Sequence, residues 1–235
     1  MSTYNCGNLH TGQHVLSAAR GFLGYAIAIC QAKFRVLWAR VRSHAGTLVA
    51  EKWIKSWYDA GYMNVRPQHI RLLTVHHNPE RWWVFEALAE GLWLTPLDEH
   101  LRNGERLKIR EVPVDYPPIA PPQWKDNLAS FVARASGVWR YNYWQVLDNF
   151  GYELFGAPSL DPEWYTTWSE RRLLAHVVRL MCSAGNAFIS LRFRGVKPCP
   201  KLAVRATAPD DLDAGPPKCI LVTVCEELKL VEAAP

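Results

Sequence analysis

The stretch Asn78-Pro79-Glu80-Arg81-Trp82-Trp83-Val84-Phe85-Glu86-Ala87-Leu88-Ala89-Glu90-Gly91-Leu92-Trp93-Leu94-Thr95-Pro96 decides how this chain reads. Asn78 is a residue type that caps a helix N-terminus, and Pro79 suits the first helical position, where a missing N–H costs nothing. Glu80 falls in the first turn, where the helix dipole favours a negative charge. Trp82, Phe85, Leu88, Ala89 and Leu92 recur at helical spacing. Gly91 and Pro96 supply the stop, since proline drives its predecessor out of helical geometry. The pattern predicts an amphipathic helix with a proline at each end and with Trp83 and Trp93 turned off its buried face. Those two rings need cover from a second element or from another protein.

Upstream, the first ten or so residues are polar, and no cleavable signal is evident in them. From His14 to Arg42, Val15, Leu16, Phe22, Leu23, Ile27, Cys30, Phe34, Leu37 and Val41 predict a long helix. Its uncharged core, Gly21 to Ala32, is twelve residues, whereas a membrane span needs about 20. A buried helix fits that length. The basic flanks (Arg20, Lys33, Arg35) beside an apolar face also fit a helix lying on a membrane surface. Thr47 caps a second predicted helix that stops at Ala60-Gly61. Pro67 to Val75 reads as either helix or strand, Leu97 to Leu101 as an added turn ended by Asn103-Gly104, and Arg106 to Val112 as a strand.

Five prolines between Pro113 and Pro122 read as a stiff linker. Beyond it, helices are predicted over Gln123–Ala135, Trp139–Leu154 and, capped by Asp161-Pro162-Glu163, onward to Ser183. Ala187 to Arg194 alternates as a strand does, and Leu202–Ala206 and Ile220–Leu230 are further strand candidates. The expected fold is α+β, predominantly α-helical with a small C-terminal antiparallel sheet. Its expected regions are a helical part over 1–112, a proline-rich linker over 113–122, and helices followed by strands over 123–235.

Composition narrows the function classes. Apolar residues make up 49% and charged residues 21% of 235 positions, which is a globular balance rather than a disordered one. A formal charge of +5 permits contact with nucleic acid without arguing for it. The eleven tryptophans fill a core or mark a partner-binding surface, where Trp is enriched. The six cysteines show no CxxC and no Cys/His ligand spacing, so reduced thiols in a cytosolic setting are expected, with no metal.

No nucleophile elbow, phosphate loop, HExxH or paired-carboxylate frame occurs, so no catalytic residue, no enzyme activity and no cofactor are expected. His76-His77 are helical neighbours that point about 100° apart and cannot share a ligand face. Cys30 and Cys182 sit in apolar runs and read as small core residues. Arg171, Arg172, Arg179, Arg192 and Arg194, with Lys197 and the aromatic Trp164, Tyr165 and Trp168, form a candidate groove that tracks phosphates and stacks bases. An ordinary solvated helix face is the competing reading.

The punctuation of the opening stretch resembles the minimal F-box-like motif of the P-zero silencing suppressors of poleroviruses and enamoviruses: Leu-Pro-x-x-(Leu/Ile), ten to thirteen residues, then Pro. Here Pro79, Trp82 and Pro96 stand at that spacing, with thirteen residues between Trp82 and Pro96. Asn78 replaces the leading Leu and Trp82 replaces Leu/Ile. Glu86-Ala87-Leu88-Ala89-Glu90-Gly91-Leu92 is also similar to the segment after the proline in that family. The resemblance implies a viral suppressor of RNA silencing in the host cytoplasm. Such a protein docks its F-box-like helix on the Skp-type adaptor of a host cullin ubiquitin ligase and directs Argonaute to degradation. The implied contact residues are Pro79, Trp82, Phe85, Leu88 and Pro96, laid as an amphipathic helix in an apolar groove. The alternative from composition is a basic, Trp-rich RNA-binding protein, either a suppressor that sequesters RNA or a subunit of a nucleoprotein complex.

Overall fold

The computed structural model describes residues 3–4, 9–17, 69–75, 81–88, 90–112, 123–142, 144, 164–200, 202, 204, 207, 212 and 219–231. The helices expected from residue 18 to Arg42 and from Thr47 to Gly61, the 113–122 linker, most of Trp139–Leu154, His76-His77 and Pro79 lie outside these residues.

A six-stranded antiparallel sheet organises the described chain. Its strands are β2 (His14–Ser17), β3 (His69–Val75), β4 (Trp82–Leu88), β5 (Gly91–Pro96), β6 (Leu107–Glu111) and β9 (Val222–Leu228), in the order β5-β4-β3-β2-β6-β9. A short pair joins β1 (Thr3–Tyr4) to β10 (Leu230–Val231), and a parallel pair joins β7 (Arg140–Tyr141) to β8 (Arg179–Leu180). The described helices are α1 (Leu97–Arg102), α2 (Trp124–Ala135), α3 (Glu170–Ala175) and α4 (Cys182–Arg194), with a 3₁₀ turn over Trp164–Thr167.

The expected architecture is therefore corrected. Among the described residues the chain is not predominantly helical, and its main sheet is not a small C-terminal one. That sheet takes strands from both expected regions, because β9 pairs with β6.

The largest correction falls on the opening stretch. Residues expected as one helix form the hairpin β4–β5, paired from Trp83↔Pro96 to Leu88↔Gly91. Trp82-Trp83-Val84-Phe85 favours a pleated surface. Both sheet faces are covered here, so Val84, Phe85, Glu86 and Ala87 are all buried. A strand buried on both sides reads as a continuous apolar run, and periodicity does not separate that from a helix. Gly91 closes the turn at φ 149°, and a Cβ there would lie 2.6 Å from the Trp139 carbonyl oxygen. No other residue fits that approach.

The opposite correction applies to Ala187–Arg194, which is helical. α4 buries every residue from Cys182 to Ser190, the polar Ser183, Asn186 and Ser190 included, so no solvated face sets its period. Gly195, at φ 67°, terminates it in the left-handed region, with its N–H on the Leu191 carbonyl. His14–Ser17 is a central strand instead of a helix start. The helix expected through Asp161–Ser183 is broken into the 3₁₀ turn, α3 and β8. Leu202 and Val204 lie outside any strand. By contrast α2, the β6 strand, the α1 turn and a strand within Ile220–Leu230 fall where expected.

Two clusters fill the sheet's faces. One holds Leu16, Phe85, Phe131, Leu173 and Phe188 around Trp139, between the sheet and helices α2 and α4. Trp139 meets Phe131 at 5.3 Å and Phe188 at 5.9 Å between ring centroids, and its Nε1 donates to the Leu173 carbonyl at 3.0 Å. The other holds Val15, Val84, Leu97, Leu107, Ile109 and Leu228 and is closed by α1.

Candidate functional site

The hairpin redistributes the residues that the helical reading placed on one stripe. In a strand, residues an odd number apart point to opposite faces. Trp82 thus packs beside Leu9 and Leu101 against the α1-side cluster. Phe85 instead enters the main core, 2% exposed, with its ring 6.4 Å from that of Trp139. Leu88 is half-buried, and Pro96 ends β5 while serving as the N-cap residue of α1. The structure therefore keeps Trp82 and Leu88 on one face and takes Phe85 away from them.

Charges tie this hairpin to α1. Glu86, 1% exposed, lies 3.0 Å from His100 Nε2, and Glu105 lies 2.9 Å from His100 Nδ1. Thr95 donates its hydroxyl to Glu86. Asp98 pairs with Arg102 one turn on and with Arg81 at 3.3 Å. Arg81 also lies 5.3 Å over the Trp83 ring. These pairs convert a buried carboxylate, which alone would be costly, into a cross-brace.

Deeper in the molecule, His14 on β2 meets Ser190 on α4 at 2.9 Å between Nε2 and Oγ. Burial, reinforced by the Arg194 charge, pushes His14 down to about 3. It is therefore neutral at physiological pH and too weak a base to activate the hydroxyl. The two residues are 0% and 1% exposed, so a substrate does not reach them, and the pair fastens α4 to the sheet. Alongside, Glu111 pairs with His10 and accepts from Gln13. Burial alone would raise its carboxyl, but the hydrogen bond and charge of His10, with Gln13 and Arg194, hold it below the ordinary value.

The arginines expected to form one basic groove divide. Arg171 and Arg172 are exposed on α3, whose start is capped by Ser169 accepting from Arg172 N–H at 3.3 Å. The Arg172 guanidinium lies 4.1 Å over Trp168. Arg179 is exposed on β8, a few residues after the α3 C-cap. Arg192 and Arg194 end α4, where Arg194 is half-buried, lies 4.7 Å over Trp124 and feels Glu111. Arg194 thus belongs to the His10–Glu111 side. Tyr165 is 4% exposed and packs edge-on against Phe188 at 5.2 Å, so it is no stacking platform.

In place of those residues the fold brings up Arg140, which the sequence did not mark, and Trp93, which it marked only as a ring in need of cover. Arg140 stands opposite Arg179 in the β7–β8 register, and both are exposed. Trp93, 40% exposed, lies beside Arg140: a Cβ on Gly91 would be 3.4 Å from Arg140 Nη1 and 3.6 Å from Trp93 Nε1. No periodic signal marks a two-residue strand. The free edge of β5 is meanwhile satisfied, since Leu92 N–H donates to the Trp139 carbonyl, Gly137 N–H to the Leu92 carbonyl and Leu94 N–H to Ser136 Oγ.

Among the described residues, no group of three or more His, Cys, Asp or Glu is placed to hold a metal ion, and no helix is long and apolar enough to cross a membrane. Cys182, Cys199 and Cys219 are buried. No protein-family model and no curated protein matches this sequence.

Proposed function

We propose that this chain is a silencing suppressor of the P-zero type, an adaptor that recruits the Skp-type subunit of a host cullin ubiquitin ligase and directs Argonaute to degradation in the host cytoplasm. The observation that carries the reading is the spacing of Pro79, Trp82 and Pro96 around the Trp-rich segment. Contact through one helix in a groove drops out, because residues 82–88 and 91–96 are strands. The docking element becomes the hairpin together with α1, which Pro96 joins without a loop. Trp82 and Leu88 share a face of β4 and are only part-buried, so both can contribute to it. Phe85 supports the hairpin from within the core. Its role passes from anchor to scaffold.

Such a surface suits an adaptor physically. Large rigid rings bring contact area at low entropic cost, and the Glu86–His100–Glu105 brace fixes the hairpin on α1 before binding. The test is a pull-down of purified Skp-type adaptor together with a silencing assay in leaf tissue. Wild type is expected to retain the adaptor and suppress silencing, and Pro79→Ala combined with Trp82→Ala to lose both. Adaptor binding and suppression left intact in that double variant would end the proposal.

A further inference from the structure

We infer that the ridge made by Trp93, Arg140 and Arg179 binds single-stranded nucleic acid, with Arg172 stacked on Trp168 as a second cation–ring pair. This does not rest on the adaptor reading; Trp93 belongs to the same hairpin, but the two readings are assayed with different ligands.

The argument starts from the β7–β8 register. Arg140 and Arg179 are direct partners in a parallel pair, so their side chains leave the same face from strands about 4.8 Å apart. Like charges set opposite each other destabilise a sheet. Burial of their stems does not compensate, because both residues are exposed. Their chain neighbours carry the packing instead: Trp139, Val178 and Leu180 are 0%, 3% and 0% exposed. Among the described residues neither guanidinium forms an ion pair; Arg140 Nη1 donates to the Glu90 main-chain carbonyl at 2.9 Å. That bond aims the guanidinium without neutralising it. An aimed arginine beside a second exposed one is an arrangement that a phosphate completes.

The aromatic residues say which phosphate-bearing ligand fits. Trp93 is held in place by the backbone beneath it, since a Cβ on Gly137 would lie 3.0 Å from its ring. It nevertheless stays 40% exposed beside Arg140. In the segment that precedes β8, Arg172 lies 4.1 Å over Trp168, and the His176 ring meets Trp168 at 5.0 Å. Rigid rings alternating with guanidinium groups present stacking faces and cations together, which is how proteins hold unpaired bases along a backbone. A duplex offers its phosphates but keeps its base faces stacked inside, so it satisfies only half of this ridge.

The experiment is fluorescence anisotropy of the full chain with a labelled mixed-sequence RNA of about 20 nucleotides, titrated over a salt series. The same sequence as single-stranded DNA, the RNA duplex, and vesicles of equimolar phosphatidylserine and phosphatidylcholine form the other arms. Single strands are expected to bind, and the duplex to bind at least about tenfold more weakly. R140Q with R179Q should flatten the log–log salt slope by about 1.4, from about 0.7 per phosphate contact. R140K with R179K keeps both charges and should keep the slope. W93A should weaken binding about tenfold with the slope unchanged. RNA bound over DNA would place the ligand as RNA, and equal binding would place it as either single strand. The inference is overturned by absence of single-strand binding at about 50 mM salt. It is equally overturned by duplex or vesicles bound as tightly as the single strand, or by affinity that neither the Gln pair nor W93A lowers.

Discussion

Trp139 and Arg140 are neighbours in the chain and belong to opposite kinds of surface. Trp139 is 0% exposed and ringed by Phe85, Phe131 and Phe188, with its one donor satisfied. Arg140 is exposed and faces Arg179. Trp139, in the bend just before β7, thus anchors the core while Arg140, the first residue of the strand, faces outward. The difference teaches that stability and recognition can be separated here by a single position in sequence. Substitutions behind the strand should unfold the protein, and those in front should leave the fold alone.

Trp139→Ala is the severest way to press that comparison. It is expected to cost about 3–5 kcal/mol, read as a fall in the urea midpoint at unchanged slope. An equal midpoint would mean that the aromatic cluster around it is not the keystone of the core. Next comes the buried His14. Its folded pKa of about 3 lies below the unfolded value of 6.5, so below pH 6.5 the unfolded chain binds a proton that the folded one refuses. Its contribution is fully present above pH 6.5 and lost as pH falls toward 3, by up to about 1.4 kcal/mol per pH unit. Denaturant titrations at stepped pH should show the slope in wild type and a shallower one in His14→Gln. Glu111, held below its ordinary value, works in the same direction at lower pH.

The surface substitutions should be milder. Ser169→Ala removes the α3 cap and should cost about 1 kcal/mol in the same melt. Arg134 pairs with Glu170 on the exterior; its loss should cost about 0.2–1 kcal/mol, and raised salt should erase even that difference. A cost for Arg134→Ala approaching that of Trp139→Ala would collapse the distinction between the two sides.

How much of this was legible follows the same division. α2 is wet on one side, with Leu128, Phe131, Val132 and Ala135 buried and Lys125, Asp126, Ser130 and Arg134 exposed, so its period shows in the sequence. β6 alternates apolar Leu107 and Ile109 with charged Lys108 and Arg110, and it too was readable. The middle of β4, Val84–Ala87, and the first nine residues of α4 are buried on all sides, which erases the contrast that pattern reading depends on. For the candidate site, the arginine-rich run around Arg171 and Arg172 was visible as charge. Arg140 was not, because a register between distant two-residue strands sets its position, and Trp93 was visible only as a ring in need of cover. Trp82 and Phe85 looked like one stripe because a spacing of three lies on one side of a helix and on both sides of a strand.

The pairing of β9 with β6 also sets an order of events during synthesis. Val222–Leu228 closes the flank of a strand, Leu107–Glu111, made roughly a hundred residues earlier. Until it arrives, a nascent chain holds β6 as an open edge able to pair with a neighbouring chain. The charges along that strand, Lys108, Arg110 and Glu111, then serve as gatekeepers. They keep an unfinished sheet from recruiting the wrong strand before its own emerges from the ribosome.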